Sequence, residues 1–247
     1  MSSQTHLHDL KFRMMTIDLL RMAKERYTYR ELSQHTDLPV TVLSRYVKGH
    51  VLPTTKRAKT IWNSLEKIVS LENEFRNRIT FDESGYFDNT NIISNVSLLS
   101  QGAQHALSKF AGRRITKVMT AAVDGIPIAT MIAEAFGVDL VIAKNTKEVG
   151  VQDFIEESYI PSNSGVRMVL YIPKKSIKRG DSILIVDDVI RSGETQRVLI
   201  SLVEKVKAEV AGIYALIGVG ENWREKIPIS SDGPCEVILT ISPSRSE

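Results

Sequence analysis

The residue types able to do chemistry concentrate in one short run. Residues 183–195 read Ile-Leu-Ile-Val-Asp-Asp-Val-Ile-Arg-Ser-Gly-Glu-Thr. The apolar segment Ser182–Val186 predicts a strand buried on both faces. Asp187 and Asp188 follow at its end, one carboxylate to each face. Adjacent carboxylates there can accept hydrogen bonds from sugar hydroxyls and hold Mg²⁺ through water. After Val189 comes a turn of Arg191, Ser192, Gly193, Glu194 and Thr195, and then a helix over Glu194–Lys207. Backbone N–H groups, the Ser192 and Thr195 hydroxyls and the helix N-terminus converge on one point, a ready site for a phosphate monoester. Gly193 allows a positive φ or a close backbone approach. The plain alternative is an ordinary strand–turn–helix crossover.

Such a site needs a sheet to carry it. The sequence from about Asn91 onward supplies one by pattern. Strands are expected at Ile115–Ala122, Val138–Ala143, Val166–Ile172, Ser182–Val186 and Val210–Val219, with a helix at Pro127–Phe136. Apolar strands alternating with amphipathic helices predict a parallel α/β sheet. Ligands of such sheets bind outside the carboxyl ends of the strands. The polar stretch between Lys144 and Gly165 reads as a lid or hood with room for a short hairpin.

The run 183–195 resembles the 5-phosphoribosyl-1-pyrophosphate (PRPP) signature of type I phosphoribosyltransferases. The resemblance covers roughly residues 92–242. It implies that Asp187 and Asp188 contact the ribose 2′- and 3′-hydroxyls, and that Arg191–Thr195 wrap the 5′-phosphate. Met119–Ile128 matches the family's pyrophosphate loop, with Ala122, Val123, Asp124 and Gly125 at its turn. Val141–Lys147 looks like the strand leading into the mobile loop, from which Lys144 and Lys147 could reach the pyrophosphate or else stay solvated. The passage Met119–Pro127 and the stretch Ser158–Asp181 are most similar to xanthine phosphoribosyltransferases and bacterial purine repressors. One departure stands out. Many relatives carry Lys beside the loop glycine, where this chain has Asp124. A carboxylate there repels a diphosphate by roughly 1–4 kcal/mol at a few ångströms. Either Mg²⁺ bridges the two, or the preferred ligand lacks the pyrophosphate, as a nucleoside monophosphate does. Trp223 is open to two readings, an aromatic stacked on a base or a packing residue.

The first 80 residues read differently, with no strand alternation and many helix formers. Thr28 with Glu31 makes a capping box, Thr36-Asp37 a turn, and Pro39 the start of a second helix that Gly49 ends. On that helix Val42, Leu43, Tyr46 and Val47 share one face. Val40, Thr41, Ser44, Arg45 and Lys48 share the other. Short polar groups there suit base edges in a major groove. Arg45, Lys48, Lys56 and Arg57 suit phosphates. This segment resembles the Cro/C1-type helix-turn-helix, and the whole arrangement is similar to archaeal regulators that fuse one to a phosphoribosyltransferase domain. The alternative is a helical cap or dimerisation domain. Lys56–Arg78 is expected as one long amphipathic helix.

Charge follows the same division. Residues 1–80 carry 14 basic and 8 acidic side chains; the remainder carries 18 and 21. A basic third on an acidic body fits an anionic partner at one end, or an ordinary solvated surface. A single cysteine, Cys235, excludes an internal disulfide, and the five scattered histidines lack zinc spacing. No signal-like segment or membrane-length apolar run is present, so a cytoplasmic protein with no membrane partner is expected.

The expected architecture is α/β: a parallel-sheet type I phosphoribosyltransferase fold over 92–247, a linker over 81–91, and a small all-α helix-turn-helix domain over 1–80. The expected function is a DNA-binding transcriptional regulator sensing PRPP or a purine nucleotide, with double-stranded DNA as partner. A homodimer would read symmetric half-sites. The alternative is an active purine or orotate phosphoribosyltransferase with an accessory helix-turn-helix.

Overall fold

A computed structural model describes residues 6–83, 86–160, 165–228 and 233–243. The chain divides into two compact units, Met1–Glu74 and Phe75–Glu247.

The first unit is helical. It comprises α1 (His6–Arg26), α2 (Tyr29–Thr36), α3 (Val40–Val47) and α4 (Thr55–Leu65), and α5 (Leu71–Arg76) begins at its end. The capping box is present in full. Glu31 N–H donates to Thr28 Oγ1 at 3.3 Å, and Thr28 N–H donates to Glu31 Oε2 at 2.7 Å. Asp37 sits in the left-handed region at φ 54° and turns the chain from α2 into α3. Gly49 N–H closes the end of α3 on Tyr46 O. Leu20, Leu32, Leu43, Ile61 and Leu65 are fully buried, so the apolar stripes of α1 to α4 form one small core. Arg13 Nε donates to Pro53 O and Arg21 Nε to Val47 O, tying α1 to the segment before α4 and to the end of α3. The single helix expected over Lys56–Arg78 is instead two, α4 and α5. Ser70 breaks it: its hydroxyl accepts from Asn73 N–H at 3.3 Å, the bond of an N-cap, and Tyr27 Oη donates to Ile68 O in the intervening turn.

The second unit opens with β1 (Thr80–Phe81), β2 (Phe87–Asp88), α6 (Thr90–Ile93) and α7 (Val96–Lys109). Then follow β3 (Lys117–Ala121), α8 (Ile126–Phe136), β4 (Asp139–Ala143), β5 (Phe154–Tyr159), β6 (Met168–Pro173), β7 (Ser182–Ile190), α9 (Glu194–Lys205), β8 (Glu209–Val219), α10 (Trp223–Lys226) and β9 (Cys235–Ile241). Five strands form the central sheet in the order β4-β3-β7-β8-β9, and every neighbouring pair is parallel. The central strand β7 is buried along its length except at Val189, which accounts for the apolar run Ile183–Val186 in its first half.

Three expectations are corrected here. Val166–Ile172 does not join the parallel sheet; as β6 it pairs antiparallel with β5 in a separate hairpin. That pairing fits the expected hood hairpin, although residues 161–164 at its turn lie outside the described residues. β7 runs on to Ile190, pairing Asp187 with Ala215 and Ile190 with Gly218, so the two carboxylates lie within the strand and not beyond it. The segment 81–91, read as a linker, contributes β1, β2 and the start of α6 to the second unit; its residues 84–85 lie outside the described ones.

Candidate functional site

The site is built where β7 meets α9. Asp187 and Asp188 are each only 8% exposed. A buried carboxylate must have hydrogen-bond partners, and each of these has an amide donor. Gln196 Nε2, in the first turn of α9, donates to Asp187 Oδ2 at 2.7 Å. Asn89 Nδ2, just after β2, donates to Asp188 Oδ2 at 2.8 Å. The Asp188 backbone N–H donates to Asp187 Oδ1 at 3.0 Å. Burial, and then the neighbouring Asp188 charge, push the Asp187 carboxyl well above the usual carboxylate range.

The turn after β7 has the form a phosphate cradle needs. Gly193 takes φ 77° as the residue preceding α9. A β-carbon on it would stand 3.0 Å from Ile227 Cγ1 and 3.2 Å from the Trp223 carbonyl. Both conformation and crowding therefore require glycine. Ser192, Glu194 and Thr195 are partly exposed and Arg191 is exposed, at the N-terminus of the 12-residue α9, where backbone N–H groups and the helix dipole favour an anion. The Arg191 guanidinium lies 4.4 Å from the centre of the Phe87 ring.

The β3–α8 turn arrives beside the carboxylates. Gly125 is buried, and a β-carbon there would come within 2.8 Å of Asp187 Oδ1 and closer still to Thr120 Oγ1. Ala122, Val123 and Asp124 are exposed at the same turn, and the Ala122–Val123 peptide is cis. The structure thus joins the two segments that the sequence separates by some sixty residues. Lys144 and Lys147 are held otherwise. Lys144 Nζ pairs with Glu148, and its backbone bridges to Tyr171 on β6. Lys147 Nζ pairs with Glu156 Oε2 at 3.0 Å and lies 4.9 Å from the Tyr171 ring centre. Trp223 resolves as a packing residue: it is 1% exposed, and its indole N–H donates to Gly220 O at 2.8 Å.

Sequence reasoning missed Gln196, Asn89 and Phe87. Gln196 carried a faint signal, a polar residue next to the signature on a helix face that must be buried. Phe87 and Asn89 are two residues apart and so face the same way along an extended chain, but nothing local says which face meets β7.

In the first unit α3 buries Leu43 and Tyr46 and exposes Val40, Thr41, Arg45 and Lys48, with Ser44 partly covered. Lys56 and Arg57 are exposed in the first turn of α4, where Arg57 Nη1 donates to Tyr46 Oη at 3.4 Å. No described helix is long and apolar enough to cross a membrane.

A parallel sheet whose central strand carries paired carboxylates and runs into a glycine-hinged turn before a helix is the arrangement of the type I phosphoribosyltransferase fold. Residues 86–241 match the phosphoribosyl transferase domain family, and the chain belongs to it. The chain is 34% identical over 141 residues to the purine biosynthesis transcriptional repressor PurR of Bacillus subtilis (strain 168), a match covering 56% of this chain and 50% of that protein. It is 34% identical over 121 residues to a xanthine phosphoribosyltransferase of Lactococcus lactis subsp. cremoris (strain SK11), covering 48% of this chain and 61% of that one. The chain therefore spans about half the length of the curated relatives it matches most extensively. Among solved structures, adenine phosphoribosyltransferase from Rhodothermus marinus DSM 4252 aligns with a TM-score of 0.61 at 25% identity, over 69% of this chain and 98% of that one.

Proposed function

We propose that this chain is a DNA-binding transcriptional regulator that senses PRPP or a purine nucleotide through its phosphoribosyltransferase domain. The observation that carries the proposal is the fusion itself. One chain presents the exposed side of α3, with Thr41, Arg45 and, at its end, Lys48, together with a buried carboxylate pair and a glycine-hinged turn before α9. Similarity to purine repressors over 141 to 143 residues supports the regulatory reading.

In this reading Val40, Thr41 and Ser44 meet base edges, while Arg45, Lys48, Lys56 and Arg57 meet phosphates of duplex DNA. The ligand's 5′-phosphate sits in the Arg191–Thr195 turn, and its ribose hydroxyls meet Asp187 and Asp188. The pair also fits Mg²⁺, which takes one or two carboxylates and completes its shell with water and phosphate oxygens. Among the described residues no third acidic, histidine or cysteine side chain joins them in a metal cage, so the ligand's own oxygens would complete the set. A homodimer reads two half-sites, and the ligand acts by favouring one arrangement of them over another.

The second reading is an active phosphoribosyltransferase, favoured by the intact carboxylate pair and the likeness to xanthine phosphoribosyltransferases. Burial of Trp223 removes the aromatic that could have stacked on a base. Two assays separate the readings. Pyrophosphate release from PRPP and Mg²⁺ is expected to be absent across a nucleobase panel. Affinity for duplexes selected from a random pool is expected to change when PRPP or a purine nucleotide is added. Turnover with one base and indifference of DNA binding to every ligand would establish the enzyme instead.

A further inference from the structure

Asn89 has the position of a helix cap and does not serve as one. It precedes α6, where an asparagine side chain ordinarily accepts from the second or third backbone N–H of the helix. Asn89 makes no such bond. The neighbouring Asp88 takes the local donors, its Oδ1 accepting from Thr90 N–H at 2.8 Å and from Thr90 Oγ1 at 2.5 Å. The Asn89 amide is thereby released to reach across 99 positions of sequence to Asp188 Oδ2 at 2.8 Å. Phe87, on the same side of the extended chain, lies under the Arg191 guanidinium at 4.4 Å. These two side chains touch the signature at its acidic pair and at the first residue of its phosphate turn.

The chemistry of the contact is specific. Asp188 is 8% exposed, so its orientation is set by what it touches. A lysine or arginine in place of Asn89 would form a counter-ion and compete with the ligand's hydroxyls for the charge. An amide fixes the carboxylate with one N–H and leaves most of its roughly four lone-pair positions open. Gln196 does the same for Asp187 from the other side. Each carboxylate therefore has one side-chain amide donor of its own, drawn from a different part of the chain.

We infer that Asn89 is a positioning residue of the sugar site, holding Asp188 in the orientation that reads a ribose hydroxyl. This rests on the phosphoribosyl reading of the site. The test compares ribose 5-phosphate with methyl phosphate, which engages the phosphate turn and offers no diol. Affinities are measured by calorimetry for the full chain and for its Asn89→Ala and Asn89→Gln variants, with thermal melts as a folding control. The native chain prefers ribose 5-phosphate. Asn89→Ala loses about ten-fold in affinity for ribose 5-phosphate, the order expected for a bond to a charged acceptor, and binds methyl phosphate as before. Asn89→Gln, with the amide on a longer arm, recovers part of the loss. A native preference that survives intact in Asn89→Ala overturns this inference alone. Equal loss for both ligands makes Asn89 a structural residue and overturns it too. No preference in the native chain overturns the site reading together with it.

Discussion

Gly125 and Asp187 are packed so closely that no side chain fits between them: a β-carbon at 125 would stand 2.8 Å from Asp187 Oδ1. The β3–α8 turn and the acidic pair of β7 are therefore held side by side at a fixed spacing.

Gly125→Ala should disturb both halves at once. Overpacking of this kind costs about 1–3 kcal/mol, and the displaced Asp187 carboxylate weakens sugar phosphate binding. Thermal melts and calorimetric titration with ribose 5-phosphate measure the two effects. Native affinity in a folded Gly125→Ala chain would show that the turn and the carboxylate do not share a ligand.

The raised proton affinity of Asp187 gives the fold a pH dependence of definite sign. Burial, then the Asp188 charge, lifts the native-state value above the unfolded one. The native state then holds more protons than the unfolded state, so stability falls as pH rises from about 3.9 through the native value, and the loss is complete above it. Asp187→Asn removes the group responsible. Urea midpoints across this range should fall for the native chain relative to the variant, and parallel curves would contradict the assignment.

Lys147 is held by Glu156 at 3.0 Å, a hydrogen bond that raises its proton affinity. Glu156→Gln should release it toward a pyrophosphate. An exposed pair is worth little, so PRPP affinity should rise by at most about five-fold while ribose 5-phosphate affinity stays constant. An equal change for the two ligands would detach Lys147 from the pyrophosphate.

Arg45 is exposed on α3 and should contact the duplex. Arg45→Ala is expected to weaken duplex binding in anisotropy titrations. Loss of a phosphate contact also lowers the magnitude of the log–log salt slope by about 0.9. Unchanged affinity and slope would remove Arg45 from the interface.

What the sequence disclosed was what is local in it. The strand, turn and helix of 183–195 and the Thr28–Glu31 capping box are contiguous patterns, and both take the local form that their spacing announces. The break between α4 and α5 was equally local, a Ser70 cap, but the apolar stripe that runs on to Phe75 masked it. β6 misled because an apolar run declares burial and not a partner; pairing with β5 instead of the main sheet is a tertiary choice. β9, Cys235–Ile241, is a strand whose place beside β8 no spacing announces. Asn89 was hidden most completely. It lies in a polar stretch that composition marks as a linker, and its partner is 99 positions away.

The central claim is that Asp187, Asp188 and the Arg191–Thr195 turn hold a phosphoribosyl ligand. Calorimetric titration of PRPP with Mg²⁺ into the native chain and into the Asp187→Asn, Asp188→Asn double variant tests it most directly. Saturable binding by the native chain and its loss in a variant that still folds is the expected result. Equal binding by both, or none by the native chain to PRPP or any purine nucleotide, would contradict it.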